Sequence, residues 1–187
     1  MRTFSLRRPA DDAVARALSR EAASGLSYPE VGATQGPLPQ RYHHGAWELD
    51  LGDDVDGRFE RARACLAHWD LQRGAGMRVV PDEPVREGMT FMLAMHLGVV
   101  HVLAAGRVVY VIDEPDRYTF AYGTLAAHPE RGEEAFTVER HGGRVRFGIR
   151  AFSRPSHPLA RLGSPVASWV QRRVTRTYLE AMRRAVG

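Results

Sequence analysis

Residues 107–152 read RVVYVIDEPDRYTFAYGTLAAHPERGEEAFTVERHGGRVRFGIRAF, with three chain reversals between short segments. Each segment is rich in aromatic and β-branched residues, which favour strands. The last reversal contains Gly142 and Gly143, which supply the positive φ angles that a two-residue hairpin turn requires. The stretch therefore predicts a four-stranded antiparallel sheet.

The position of this turn determines how the flanking strands pair. Counting outward from it places Phe136 opposite Ile149 and Glu134 opposite Ala151. Because paired residues share a face of the sheet, the same counting predicts the register of the two earlier strands. The predicted neighbours there are Phe120 with Val138, Tyr122 with Phe136, Thr124 with Glu134, Tyr110 with Phe120, and Ile112 with Tyr118.

One face of this sheet is aromatic but carries a carboxylate, Glu134. Its aromatic members are Tyr110, Phe120, Tyr122, Phe136 and Phe147. The opposite face alternates in charge, and we expect it to be solvated; its members are Glu133, Thr137, Glu139, Arg144, Arg146 and Arg150. The aromatic face is the one that needs cover.

A long amphipathic helix near the C-terminus can provide that cover. Apolar residues recur at three- and four-residue steps from Pro158 to Val186, with arginines on the other side. Pro165 allows a short first helix followed by a longer one as readily as one continuous helix. The apolar stripe consists of Leu159, Leu162, Val166, Trp169, Val170, Val174, Tyr178, Leu179 and Met182.

The upstream half supplies the other elements. Patterns predict a helix over Pro9–Ala23, a half-buried strand around Trp47, a second helix carrying Phe59, and a short strand over Met77–Val80. The longest apolar run, Met89–Ala105, has 17 residues and contains two histidines and a glycine. A membrane helix needs about 20 largely apolar residues, so we expect two strands with a tight reversal there.

This order of elements predicts an α+β fold in which a curved antiparallel sheet wraps around the long C-terminal helix. A two-layer sandwich with a solid core is the competing geometry, and the pattern does not separate the two. We expect a single domain over residues 1–187. Within it, residues 1–25 contain the N-terminal helix, 26–45 an ordered loop, and 46–187 the sheet and C-terminal helix.

Several long segments of the sequence resemble segments of a known family: YPEVGATQGPLPQRYHH (28–44), RVVYVIDEP (107–115), FAYGTLAAHPERGEEAF (120–136) and FGIRAFSRP (147–155). From about Leu26 to the end, the chain resembles the bacterial and plant domain-of-unknown-function family numbered nineteen-ninety. That family has no assigned activity and no established catalytic residues, so the resemblance supplies none for this chain. The element order is also similar to START and Bet v 1-like helix-grip proteins, which hold apolar ligands between sheet and helix, although a shared fold does not fix function.

Composition limits the classes of binding partner and the cellular compartment that we expect. All 26 basic residues are arginine and the net charge is only +4, which indicates a coding bias more than phosphate binding, so we expect no nucleic-acid partner. The N-terminus lacks the apolar segment of a secretion signal, and we expect a cytoplasmic protein without a membrane segment. No metal or cofactor motif occurs, and we predict neither. The oligomeric state stays open.

Glu134 is the candidate catalytic residue, and Thr124, Tyr122 and His128 are near it in the predicted sheet. Inside an apolar cavity, loss of water would raise the pKa of its carboxyl and prepare it as an acid or base. The alternative is structural: Glu134 reaches water near the strand end and discourages edge pairing. The neighbouring Glu133 favours that alternative because it places this end near solvent.

The stretch from Tyr28 to His44 is rich in proline and glycine and has no helical period. A loop this long is ordered by docking on the rest of the domain. It could be a lid that brings Tyr42 and His43 to a ligand, or a structural strap.

Three functions remain open from the sequence. The first is a binding protein that holds a small apolar or aromatic molecule between sheet and helix. The second is a cyclase- or hydratase-type enzyme that uses Glu134 as acid or base. The third is a scaffold with a filled core. The predicted ligand-binding residues are Tyr110, Phe120, Tyr122, Thr124, Phe136, Phe147, Tyr42 and His43.

Overall fold

The computed structural model describes residues 3–156 and 164–187, without the side chains of residues 97 and 164–172. The helices are α1 (Asp11–Ala22), α2 (Arg58–Ala67), α3 (Asp70–Gly74) and α4 (Ser164–Val186), with a 3₁₀ turn at Ala33–Gln35. The strands are β1 (Phe4–Ser5), β2 (His43–Asp53), β3 (Arg78–Val80), β4 (Thr90–Leu97), β5 (Val100–Glu114), β6 (Arg117–Thr124), β7 (Glu130–His141) and β8 (Arg144–Pro155). The predicted short first helix with Leu159 and Leu162, and the side chains of Val166, Trp169 and Val170, lie outside the described residues.

In the described part of the chain, eight strands form one antiparallel sheet in the order β2-β8-β7-β6-β5-β4-β3, with β1 paired to β5 outside this path. The apolar run Met89–Ala105 forms most of the β4–β5 hairpin, which confirms its prediction as two strands. One face of the sheet packs on α4 and on the α2–α3 pair, and we call it the inner face. The predicted α+β fold with a curved antiparallel sheet and a C-terminal helix is therefore confirmed.

The predicted register is correct for one strand pair. In β7–β8, Phe136 faces Ile149 and Glu134 faces Ala151, as predicted. In β6–β7 the prediction is wrong by two residues, because Tyr122 pairs with Glu134 and Phe120 with Phe136. The loop after β6 closes two residues tighter than predicted, since a turn returns the chain where the amide of His128 donates to the carbonyl oxygen of Leu125 at 3.1 Å. A shift of two residues keeps every side chain on its predicted face.

Tyr110 lies on the face opposite to the one predicted. The β5–β6 register shifts between Val108 and Tyr110, so Val111 pairs with Phe120 and Tyr110 pairs with Ala121. A β-bulge of this kind adds one residue to a strand and reverses the alternation beyond it. The predicted pairs of Tyr110 with Phe120 and Ile112 with Tyr118 are therefore wrong.

Aromatic rings fill the centre of the interface between the inner face and the helices. Phe120 and Phe136 stack at 5.2 Å between ring centroids, and Tyr178 from α4 meets Phe136 edge-on at 5.5 Å. Trp69, which separates α2 from α3, packs on Phe120 at 5.2 Å. Phe120, Phe136 and Phe147 are fully buried. These three side chains belong to the packed core.

The outer face is covered at one end by residues 26–42, which we call the strap. Tyr28 and Tyr42 from the strap pack edge-on against Phe152 of β8, with ring centroids 5.6 and 5.0 Å apart. Glu133 lies under the strap with 2 % of its surface exposed, so the prediction that it is solvated is wrong. The strap ends at residue 42 because β2 begins at His43, before the predicted loop boundary at residue 45.

Replacing Phe136 or Phe147 by Ala is expected to lower the free energy of unfolding by about 3–5 kcal/mol, because each truncation leaves a cavity in a packed core. Chemical denaturation measures this loss. The matched control is Phe4→Ala, since Phe4 is 49 % exposed and its loss should be within about 0.5 kcal/mol. A cost near that of the control at both core positions would show that the core is not packed there.

Candidate functional site

Glu134 lies on the inner face of β7 and is paired in register with Tyr122 on β6 and Ala151 on β8. The Tyr122 hydroxyl donates a short hydrogen bond of 2.5 Å to Oε2 of Glu134. Within the described part of the chain, no other protein group donates to this carboxylate. The side chain is only partly exposed. Glu134 is thus a poorly solvated carboxyl group with a single hydrogen-bond donor.

The surroundings of Glu134 favour its protonated form. Burial raises the pKa of the Glu134 carboxyl to about 7; the hydrogen bond from Tyr122 opposes this rise and the negative charge of Glu130 adds to it. Burial and the charge of Glu134 raise the pKa of both the Tyr122 and Tyr178 phenols well above their usual range. At neutral pH the two phenols keep their protons, whereas Glu134 is close to half-protonated.

On the side of β8 and β2, the residues in register with Glu134 are small, and an indole ring lies on the same face of β2. Ala151 lies beside Glu134, and Gly45 of β2 lies beside Ala151. The ring of Trp47 lies over Gly45 so closely that a Cβ atom at that glycine would collide with it. We call Glu134, Tyr122, Ala151, Gly45 and Trp47 the inner site. Trp47 and Gly45 were absent from the predicted site, although the alternation of β2 already placed Trp47 on a buried face.

Five more of the predicted site residues, and His43, lie in four places. Phe120, Phe136 and Phe147 are in the packed core, and Tyr110 is on the outer face, where its hydroxyl is 2.8 Å from Oγ1 of Thr34. Tyr42 belongs to the strap and donates to Glu30 at 2.6 Å. His43 is exposed at the start of β2. The structure thus brings together Tyr122 and Glu134, next to the core residue Phe136, and separates Tyr110 and Tyr42 from them.

Two predicted neighbours of Glu134 have structural partners instead. Oγ1 of Thr124 is 2.7 Å from Oγ of Ser27 and accepts a hydrogen bond from the amide of Gly132 at 3.0 Å. Nδ1 of His128 accepts a hydrogen bond from the amide of Glu130 at 3.0 Å. Burial lowers the pKa of the His128 ring to about 4, so the ring is neutral at pH 7. Thr124 fastens the start of the strap, and His128 shapes the turn before β7.

The strap is held by the carboxylate of Glu133. Oε2 accepts hydrogen bonds from the Tyr28 hydroxyl at 2.6 Å and the Gly32 amide at 2.7 Å. Oε1 accepts two from Thr34, at 3.0 Å from the amide and 2.5 Å from the hydroxyl. Gly123 makes room, since a Cβ atom there would collide with the Tyr28 hydroxyl. Four donors on one buried carboxylate support the strap interpretation over the lid.

Two further findings concern metals and membranes. Across residues 3–156 and 164–187, no group of three or more His, Cys, Asp or Glu side chains is arranged to hold a metal ion. No helix in the described part of the chain has the length and apolar character to cross a membrane.

The fold defines the class of protein: an α+β helix-grip protein, with a large antiparallel sheet and a C-terminal helix on one face. The family model for a domain of unknown function (DUF1990) matches residues 27–181. The chain is 34 % identical to a UPF0548 protein of Deinococcus radiodurans, over 98 % of this chain and 99 % of that one. The chain therefore belongs to this family, which confirms the resemblance.

Similar proteins include a plant relative and a solved bacterial structure. A UPF0548 protein of Arabidopsis thaliana is 30 % identical over 66 % of this chain and 64 % of its own. The crystal structure of a hypothetical protein from Helicobacter pylori superposes with a TM-score of 0.57 at 11 % identity, covering 87 % of this chain and 96 % of that one. At that identity the likeness shows the fold alone.

The raised pKa of Glu134 predicts a specific pH dependence of stability. The unfolded chain ionises this carboxyl above about pH 4.5, whereas the folded protein keeps the proton up to about pH 7. The free energy of unfolding of the wild type therefore falls by up to about 3 kcal/mol as pH rises through that window, because of this one group. Glu134→Gln removes the titration, so the stability of the variant relative to wild type should rise by that amount and then level off. Denaturation of both proteins across this range measures the difference, and a difference independent of pH would contradict the assignment.

Glu133→Gln is expected to release the strap, because one amide oxygen cannot replace a carboxylate that accepts from four donors. Trypsin should then cut after the exposed Arg41 about tenfold faster, which corresponds to about 1.4 kcal/mol of lost protection. The control is Glu139→Gln, an exposed glutamate on the same face of the same strand. Equal cleavage rates in wild type and Glu133→Gln would show that Glu133 does not hold the strap.

Proposed function

We propose that the protein binds a small, neutral, mainly apolar molecule at the inner site, with a polar group of that molecule hydrogen-bonded to Glu134. The observation that carries the proposal is a carboxyl group on the inner face with one donor, Tyr122, and small neighbours, Ala151 and Gly45. A half-buried polar group with unused hydrogen-bonding capacity beside apolar surface is typical of ligand sites.

The chemistry of the inner site indicates the kind of ligand. The protonated carboxyl can donate to a carbonyl oxygen of the ligand, and the ionised carboxylate can accept from a hydroxyl. The indole of Trp47 offers an apolar and aromatic contact. An anionic group would be repelled by the ionised form of Glu134, so a neutral molecule fits best.

The packed core limits where the ligand can bind. Phe120 and Phe136 stack on each other, and both are fully buried with Phe147 in the core that supports the fold. The proposal therefore places the ligand beside Glu134, at the end of the inner face. The fold of the relatives adds no chemistry to this proposal, because fold alone does not specify a ligand.

Acid–base catalysis is the second candidate function, and the pKa of Glu134 near 7 favours it. A carboxyl group that is half-protonated at neutral pH can both accept and return a proton, as a cyclase or hydratase reaction requires. Tyr122 would then hold the carboxyl in place and donate to it. Binding and catalysis would share the same residues.

A neutral naphthylamine fluorophore tests binding, together with native mass spectrometry of freshly purified protein to find a retained molecule. Trp47→Ala should weaken uptake about tenfold, corresponding to about 1.4 kcal/mol of lost apolar contact, and Glu139→Gln should leave it unchanged. Absence of both a retained molecule and fluorophore uptake would contradict the proposed function. With a retained molecule in hand, Glu134→Gln separates the candidates: catalysis predicts that turnover is abolished while uptake is kept.

A further inference from the structure

The outer face carries a depression that the proposed function does not use. Its floor is a row of small residues across three strands: Thr119 of β6 pairs with Thr137 of β7, which pairs with Gly148 of β8. The row on one side holds the long side chains of Arg117, Glu139 and Arg146, and the row on the other side holds Ala121, Ala135 and Arg150. The depression has a volume of about 410 Å³, within the range of ligand sites of about 300–1,000 Å³. We call it the outer slot.

Two arginines flank the floor from opposite sides. Arg117 is aimed over the floor, since its Nε donates to Oγ1 of Thr119 at 3.3 Å. Arg150 is fixed at the other rim by the strap, where it donates to the carbonyl oxygens of Thr34 at 3.2 Å and Gly36 at 2.8 Å. The fixed position of Arg150 reduces the entropy that an incoming anion must overcome.

Within the described residues, the two arginines that flank the floor have no carboxylate at ion-pair distance, although Glu139 lies opposite Arg117 in the β6–β7 register. Nearby on the sheet, Arg140 pairs with two aspartates and so does Arg144. In the described residues, by contrast, neither Arg117 nor Arg150 forms an ion pair. Arg146 also lines the slot, and the opposing charges there are Glu48 and Glu139. Three guanidinium groups against two carboxylates leave the slot with a positive excess.

The hydroxyl groups of the floor add a hydrogen-bond donor. Oγ1 of Thr119 is 3.0 Å from Oγ1 of Thr137, so one of these hydroxyls donates to the other. When Thr119 is the donor, the half-buried hydroxyl of Thr137 keeps its proton for a ligand. A guanidinium charge on each side of a hydroxyl donor is an arrangement that attracts carboxylate and phosphate groups.

We infer that the outer slot binds a small molecule through a carboxylate or phosphate group, which sits over Thr119 and Thr137 between Arg117 and Arg150. The remaining volume holds the organic part of the ligand along the floor toward Gly148. This site is on the opposite face of the sheet from Glu134, and its ligand class is opposite in charge preference to the neutral molecule proposed there.

Titration with inorganic phosphate and with benzoate, followed by backbone amide chemical shifts, tests the inference. Saturable shifts at Thr119, Thr137 and Gly148 are expected. Phosphate alone would identify phosphate esters as the ligand class, and benzoate alone would identify carboxylates. No saturable change at these amides with either anion would overturn the inference.

Substitutions locate the anion within the slot. Arg117→Gln should weaken binding at least about tenfold, and Thr137→Val should weaken it several-fold by removing the hydroxyl. Glu139→Gln should strengthen binding, because it removes a repelling charge from the rim. The control Arg16→Gln removes one positive charge from α1 and should change nothing. Equal weakening by Arg16→Gln and Arg117→Gln would overturn the inference, since it would show attraction to net charge alone.

Discussion

The alternation of side chains along β7 separates two adjacent carboxylates. Glu133 points to the outer face and Glu134 to the inner face, because successive residues of a strand point to opposite sides. Glu133 receives four hydrogen bonds and anchors the strap. Among the described residues, Glu134 receives one, from Tyr122. Glu133 thus has a structural role, whereas Glu134 keeps hydrogen-bonding capacity that is unused within the described residues.

This difference in hydrogen bonding determines what each face can do. Burying a charged carboxylate is favourable only when donors replace the lost water, and the strap brings those donors to Glu133. The inner face offers Glu134 aromatic rings and small side chains instead, so the carboxyl responds by holding its proton to higher pH. The strap also fixes Arg150 at the rim of the outer slot, which links it to a second candidate site.

Local patterns were enough to predict the β7–β8 hairpin, because its register is set by Gly142 and Gly143, which lie in the turn between the two strands. The inward position of Glu134 followed, since an error of two residues in the β6–β7 pairing does not change the face. The outward position of Tyr110 depends on a bulge for which neighbouring residues carry no strong signal. The burial of Glu133 depends on contacts with residues 99 to 105 positions away in the chain, which periodicity does not reveal. The filled core was an open alternative, because alternation predicts which side chains point inward but not how completely they pack.

The inner site depends most on Glu134 being a carboxyl group that titrates near neutral pH on the inner face. The direct measurement is the pH dependence of the side-chain carboxyl ¹³C chemical shift of Glu134, assigned by its loss in Glu134→Gln. We expect a midpoint at about pH 7, which moves higher in Tyr122→Phe because the opposing hydrogen bond is gone. A midpoint near 4.5, the ordinary value for a glutamate in water, would show that the group is solvated and would contradict the inner site as described.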